Sequence, residues 1–388
     1  MTGFFGTDSF GTERYGDSTR AVKAVEGEAI PGQPVSGFPV PASAFHLSDD
    51  EGSESHVYGR YSNPTWSRLE SALANLEAAS SALVFGSGMA ALTAALRVLV
   101  RPGSVLVVPG DGYYQVRRYA RESLAPLGVI VREVTAADLC EAAESADVVL
   151  AETPTNPRLD VVDLPRLAGI CRERGGRLLV DNTTATPLGQ QPLTLGADLV
   201  VASATKALAG HSDLLAGYVA GSRPDLIAAV ERERLMAGPI LGAIEAWMLL
   251  RSIGTFGLRF ERQCQNAMAL AAELRGHPRV RAVRYPGLPS DPSHMIAATQ
   301  MRRFGGLVSI ELASADAVHA LVRRSELLVA ATSFGGIHTS VDRRARWGDA
   351  VPDGFARISA GIEDTDDLVA DVVAALDAVG GVASPSCD

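Results

Sequence analysis

The stretch Asp198–Asp213, "DLVVASATKALAGHSD", joins a short continuous apolar run to a lysine that has hydroxyl side chains just before it. Comparable runs precede and follow it: "ALVF" from Ala82, "SVLVVPG" from Ser104, "VVLAET" from Val148, "RLLVDN" from Arg177 and "GYVAG" from Gly217. Helix-like segments such as "GMAALTAALRVLV" and "DLPRLAGICRER" lie between several of them. Continuous apolar strands separated by helices predict an α/β fold whose large, mostly parallel sheet is covered on both faces. Ligands in such sheets bind where strand C-terminal ends meet the following loops and helix starts. Lys206 stands at that position, directly after "DLVVAS".

Working outward, residues 1–60 are rich in Gly, Pro, Ser and acids with no sustained period, and read as an extended N-terminal arm that packs on something else. The helical spacing of "SRLESALANLEAA" opens a large domain over 61–255. A long helical stretch from Gly242 to Arg275 looks like the connector to a smaller C-terminal α+β domain, 256–388, with apolar runs in "GGLVSIELAS", "LLVAATS" and "FARISAG" and a closing helix, "DTDDLVADVVAALDAV".

The chain's 388 residues, 47% hydrophobic and 21% charged, suit a soluble globular protein with a large core. A net charge of −10 and the absence of a basic stripe argue against a nucleic-acid partner, "RRARWGD" from Arg343 being the nearest exception. No apolar run reaches the ~20 residues of a membrane span, and the first residues lack the order of a signal peptide, so a cytoplasmic location is expected. Cys140, Cys171, Cys264 and Cys387 are far apart, with no CxxC pair and no histidine at ligand spacing. They read as reduced thiols, with no metal site.

Only two lysines, Lys23 and Lys206, occur among 35 basic residues. A lysine can lose its proton when desolvated, attack a carbonyl and form a Schiff base, which arginine cannot. Taken alone, Lys206 could equally be a surface residue. Asp181 ends the run "RLLVD", where a carboxylate can hold a pyridine nitrogen protonated or simply cap a turn. In "FGSGMAAL", Ser87, Gly88 and Met89 start a helix after a strand, which either approaches a phosphate with backbone N–H groups or is plain punctuation.

Together, a strand-end lysine, an upstream strand-end aspartate and a Gly-Ser helix start describe a pyridoxal 5'-phosphate site. The sequence resembles the Cys/Met metabolism family of pyridoxal phosphate enzymes from about Thr19 to Leu376, which implies a fold-type I architecture. The resemblance rests on "YGRYSNPTW", "GSGMAA", "ETPTNP", "VDNTTATP", "SATK", "TSFGG" and "RISAGIED" in family order. It implies that Tyr58 and Arg60 reach the cofactor phosphate of a neighbouring subunit, so that active sites are shared between two chains of a homo-oligomer, usually a tetramer. It further implies phosphate contacts from Gly88, Met89, Ser203 and Thr205, and a place for Asn156 near the cofactor's phenolic oxygen. Asp181 would face the pyridine nitrogen, Thr183 would lie beside the ring, and Tyr113 would stack on it and move protons. By the same resemblance Lys206 carries the cofactor and the catalytic proton transfers, while Ser333 and Arg357 bind the substrate carboxylate.

Three departures touch the substrate. Tyr114, Gln115 and Val116 replace the usual Gly-Gly-Thr after the tyrosine. Thr332 stands where a glutamate often precedes the serine, and "RRARWGD" replaces "HPxxxTH". Trp347 in that segment could line the entrance or simply pack, and His211 reads as a structural loop residue. The expected activity is γ-elimination on a sulfur amino acid, foremost L-cystathionine, as in bacterial cystathionine γ-lyase. Alternatives are cystathionine γ-synthase, methionine or homocysteine γ-lyase, a specialised biosynthetic enzyme capturing the same intermediate, or a catalytically silent cofactor binder.

Overall fold

The computed structural model describes residues 15–26, 29–32, 34–50 and 52–379. Cys387 and the rest of the C-terminal tail lie outside them. Among the described residues, strands β1 (Ser81–Phe85), β2 (Val105–Pro109), β3 (Ile130–Val134), β4 (Val148–Glu152), β5 (Arg177–Asp181), β6 (Leu199–Ala202) and β7 (Gly217–Gly221) form one sheet in the order β1-β7-β6-β5-β4-β2-β3. Only β7 runs against its neighbours; the other pairings are parallel.

The apolar runs are continuous because both faces of this sheet are covered. Leu106, Leu150, Leu179 and Val201 pack on one face with the helices Gly88–Leu99 and Pro224–Ala237. Val107, Val149, Leu178 and Val180 pack on the other with Leu164–Glu173, next to Ala82, Val84 and Tyr218 under Pro64–Glu77 and Ala243–Ile253. Strand β3 escapes the apolar pattern because it is an edge strand: Arg132 and Glu133 lie in it and Ile130 is half exposed.

The stretch from Gly242 to Arg275 is two helices, Ala243–Ile253 and Phe256–Leu274, broken at Gly254–Thr255. Phe256 and Phe260 of the second helix enter the core of the large sheet, while Ala267, Leu270 and Leu274 enter the core of a second one. That sheet holds β8 (Ala282–Arg284), β9 (Leu307–Glu311), β10 (Val329–Ala330), β11 (Ser340–Arg343) and β12 (Phe355–Ser359) in the order β10-β11-β12-β9-β8, closed by the helix Thr365–Ala378.

Within the N-terminal stretch, Asp17–Val25 forms a helix on the chain's own body. Its anchor is Arg20, which is buried and donates to the carbonyls of Asn75 and Leu76 at the end of Pro64–Glu77. A guanidinium can satisfy orphan carbonyls at a helix C-terminus, an ordering force that apolar periodicity does not register.

Candidate active site

Strand periodicity decides what the C-terminal edge of the large sheet presents. Residues two apart share a face, so Glu152 follows Leu150, Asp181 follows Leu179, and Ser203 follows Val201, all toward the helix Gly88–Leu99. There they line a cavity of about 480 Å³ with Gly88, Met89, Tyr113, Tyr114, Asn156, Thr183, Thr205 and Lys206. The small sheet contributes Thr332, Ser333, Phe334, Arg344, Trp347 and Arg357.

One end of the cavity is built for an anion. Ser87 caps the helix Gly88–Leu99 by accepting from the Ala90 N–H, leaving the first-turn N–H groups of Gly88 and Met89 at the positive end of the helix dipole. Glycine is required at 88: a Cβ there would lie 2.6 Å from the Ser203 Cβ. Thr205 also lines this cavity, but its hydroxyl is engaged with the backbone of Ala216, donating to the carbonyl and accepting from the N–H.

The sheet edge carries two acids side by side. Glu152 and Asp181 are register partners on adjacent parallel strands. Burial, then the charge of Asp181, pushes Glu152 up to about 8. Burial likewise raises Asp181, against the Thr183 hydrogen bonds that lower it. Glu152 also organises the rim, accepting from the N–H groups of Tyr113 and Asn156 at 2.7 Å each. Thr183 accepts from the Ser203 N–H at 2.8 Å.

Lys206 sits in a turn gripped from below by Arg259, which donates to the carbonyls of Ala207 and Leu208. Burial first, then the cations Arg357 and Arg344, push its amine from the ordinary 10.5 to about 8. Its Nζ donates to the Ser333 Oγ at 2.7 Å and lies 5.2 Å from the Phe334 ring centroid. Ser333 has φ +77°, left-handed backbone that costs a non-glycine residue of order 1–3 kcal/mol. Gln263, one turn beyond Arg259 on the same helix, secures that loop through the carbonyls of Gly335 and Gly336. A single helix thus holds both the lysine turn and the serine loop.

Arg357 on β12 is fully buried. Its Nη1 donates to the Asn156 Oδ1 at 2.5 Å and its Nη2 to the Ser333 carbonyl at 2.7 Å, while its buried Nε has no partner. Among the expected residues, Tyr58 and Arg60 alone stand apart from this chain's cavity. Tyr58 is 43% exposed, and Arg60 packs over Tyr58 and Tyr61 and donates to the Leu235 carbonyl. Trp347 lines the cavity and donates through Nε1 to Asp342, and His211 makes a local bond to the Ala209 carbonyl.

Glu152, Phe334 and Arg344 were not singled out in the sequence. Glu152 had a legible signal, an acid ending the run "VVLAE" as Asp181 ends "RLLVD". Phe334 and Arg344 lay within "TSFGG" and "RRARWGD", but nothing local singled them out, because the second sheet brings them to the cavity.

The cavity and its residues fit an aromatic aldehyde phosphate: a helix start for the phosphate, a buried acid for a ring nitrogen, an amine for the carbonyl, and a guanidinium with a free buried N–H for a carboxylate. They define the class of fold-type I pyridoxal phosphate enzymes. Residues 28–377 match the family described as Cys/Met metabolism PLP-dependent enzyme. The chain belongs to this family of lyases and related enzymes, and pyridoxal phosphate is its cofactor.

It is 48% identical to a candidate cystathionine gamma-lyase of Streptomyces coelicolor, over 87% of this chain and 88% of that one. It is 39% identical to the L-methionine gamma-lyase of Pseudomonas putida, over 83% and 85%. Among solved structures, a cystathionine gamma synthase from Xanthomonas oryzae superposes with a TM-score of 0.90 at 31% identity, covering 94% of this chain and 98% of that one.

Proposed function

We propose that the chain catalyses γ-elimination on a sulfur amino acid, with L-cystathionine and water giving L-cysteine, 2-oxobutanoate and ammonia. The observation that carries this reading is the shared contact of Lys206 and Arg357 with Ser333: an amino acid gripped by Arg357 would present its Cα beside the lysine amine. When bound, pyridoxal phosphate supplies a carbonyl for the substrate amine and a ring that withdraws electrons from Cα.

In this reading Gly88, Met89 and Ser203 hold the phosphate, joined by Thr205 when its hydroxyl turns from the Ala216 carbonyl; Asp181 holds a proton on the ring nitrogen, and Thr183 and Tyr113 flank the ring. Lys206 would act as a proton shuttle, taking the Cα proton, giving it up again to the substrate–cofactor adduct and, as a neutral amine once more, taking a Cβ proton, work suited to an amine whose pKa is lowered to about 8. Tyr113 delivers a proton to the departing sulfur. Arg357, oriented by Asn156, binds the substrate carboxylate in a bidentate grip, with Ser333 and Thr332 beside it. The Streptomyces relative named for a cystathionine lyase supports the choice of substrate. Relatives named for γ-synthase activity support a second reading, γ-replacement on an activated homoserine.

The same reading makes 1–60 an arm reaching a neighbouring subunit, 61–255 the cofactor domain and 256–388 the smaller domain of a cytoplasmic homotetramer. That Tyr58 and Arg60 do not line their own cavity supports it, as do the exposed Val35, Phe38, Leu47, Met236 and Ile240. No helix among the described residues is long and apolar enough to cross a membrane.

A substrate panel tests the assignment: purified protein with L-cystathionine should release cysteine and 2-oxobutanoate. Inertness there, with turnover of O-acylhomoserine plus cysteine, would transfer it to γ-replacement. Arg60→Ala should weaken cofactor binding about tenfold or more; unchanged affinity would sink the shared site.

A further inference from the structure

The groups that orient Arg357 are neutral: the Asn156 side-chain oxygen and the Ser333 carbonyl. They aim the guanidinium without cancelling its charge. The carboxylate beside it is Asp342, its register partner on β11, whose Oδ2 lies 3.5 Å from Nη2. Asp342 makes its hydrogen bonds elsewhere. Oδ2 accepts from the Arg344 Nη1 at 2.8 Å, and Oδ1 accepts from the Trp347 Nε1 at 2.9 Å. Arg344 is also held by Asp349, through Nε at 2.8 Å and Nη2 at 2.7 Å. Arg344, Asp342 and Asp349 are all buried.

This arrangement decides a competition. A buried carboxylate next to a buried arginine would form a tight ion pair, and an incoming carboxylate would have to break it; breaking buried pairs costs several kcal/mol. Here the potential competitor is already occupied by a second guanidinium and an indole N–H. Burial, then the Arg344 charge, push Arg357 from its ordinary value down to about 9, against the charges of Asp342 and Asp349, which raise it.

We propose that Arg344 is a positioning residue for substrate recognition: by holding the Asp342 carboxylate, it leaves Arg357 free to bind the α-carboxylate of an amino-acid substrate. The inference rests on the reading of Arg357 as the carboxylate site. It assigns to "RRARWGD" a role in amino-acid recognition and to Trp347 a part in the same lock on Asp342.

The test uses cofactor-loaded protein and needs no turnover. Glycine and methylamine are titrated separately, following the visible absorbance of the bound cofactor, and the ratio of their Kd values measures the preference for the carboxylate. In Arg344→Gln, Asp342 should turn to Arg357, and that preference should fall at least about fivefold. The double variant Asp342→Asn/Arg344→Gln, which removes the competitor as well, should recover to within about twofold of wild type. A purely structural role for Arg344 predicts a double variant as impaired as the single one. A smaller fall in Arg344→Gln, or a double variant that does not recover, overturns the proposal. Should Arg344→Gln fail to fold, Asp342→Asn alone decides: a preference at least equal to wild type supports the proposal, and a lower one overturns it. A wild type with no preference for glycine over methylamine would refute the Arg357 reading itself, and this proposal with it.

Discussion

The amine of Lys206 donates a 2.7 Å hydrogen bond to the hydroxyl of Ser333, 127 positions along the chain and in left-handed backbone at φ +77°. The bond joins the edge of the large sheet to a loop of the small one. It also ties the proposed base to the carboxylate site, because the carbonyl of the same serine accepts from Arg357.

Strain at a site that aligns two others trades stability against activity. Ser333→Gly removes the penalty of the positive φ and should raise stability by about 1 kcal/mol, while lowering kcat/KM about tenfold through loss of the hydroxyl. Ser333→Ala loses the same hydroxyl without relieving the backbone. Denaturant titration and steady-state kinetics of both variants separate the two effects.

The depressed Lys206 amine sets a pH dependence for cofactor capture. Its folded pKa, about 8, lies below the ordinary 10.5, so the neutral fraction rises as pH increases through 8 and is nearly complete by pH 9. The rate at which apoprotein acquires visible absorbance from added pyridoxal phosphate should rise over pH 7 to 9 and then level off. Lys206→Ala should show no such band and lose at least about 10³-fold in activity.

Gly88 faces Ser203 so closely that a methyl group would collide with it. Gly88→Ala should push the helix start away from the phosphate position and weaken cofactor affinity by about 10–100-fold, measured by equilibrium titration of the apoprotein. Undiminished affinity would dissociate this helix start from the phosphate.

Beneath the sheet, on the face opposite Asp181, the fully buried Glu77 accepts from the Tyr218 hydroxyl and the Asn182 amide, and its Oε2 has no partner. Burial pushes its pKa from the ordinary 4.5 to about 7. The folded protein therefore holds a proton that the unfolded chain has released. Glu77 contributes its stability fully below pH 4.5 and loses it as pH rises through 7. Glu77→Gln should match wild type near pH 5 and exceed it by about 1–3 kcal/mol at pH 8. Thermal unfolding at the two pH values checks this, and a difference independent of pH would refute it.

How far the sequence could be read depended on the kind of force at work. Runs such as "RLLVD" and "DLVVA" became β5 and β6 because strands covered on both faces must be apolar throughout, a demand visible in composition alone. Strand β3, the short β8 and β11 gave no such signal, whereas the run "LLVAATS" contains the two-residue β10. Edge position frees β3 and β8 from that demand, and β11 carries the buried Asp342 in its middle. The break at Gly254–Thr255 was also missed, since apolar helical spacing continues on both sides of it.

Local chemistry was legible wherever a residue type can do something its neighbours cannot. A lysine after β6, an aspartate ending β5 and a small helix start after β1 pointed to one cofactor, and their places at strand C-terminal ends put them along one edge of the sheet. What the sequence by itself determined is therefore the sheet, its ligand-binding edge and the cofactor class. Only the tertiary structure decided what surrounds that edge. It set Glu152 against Asp181 and brought Ser333 to Lys206. It also hydrogen-bonded Arg344 to Asp342, the carboxylate beside Arg357. The physical reason is range: propensity and periodicity act over a few residues, whereas these pairings follow from strand register and from one helix spanning two cores.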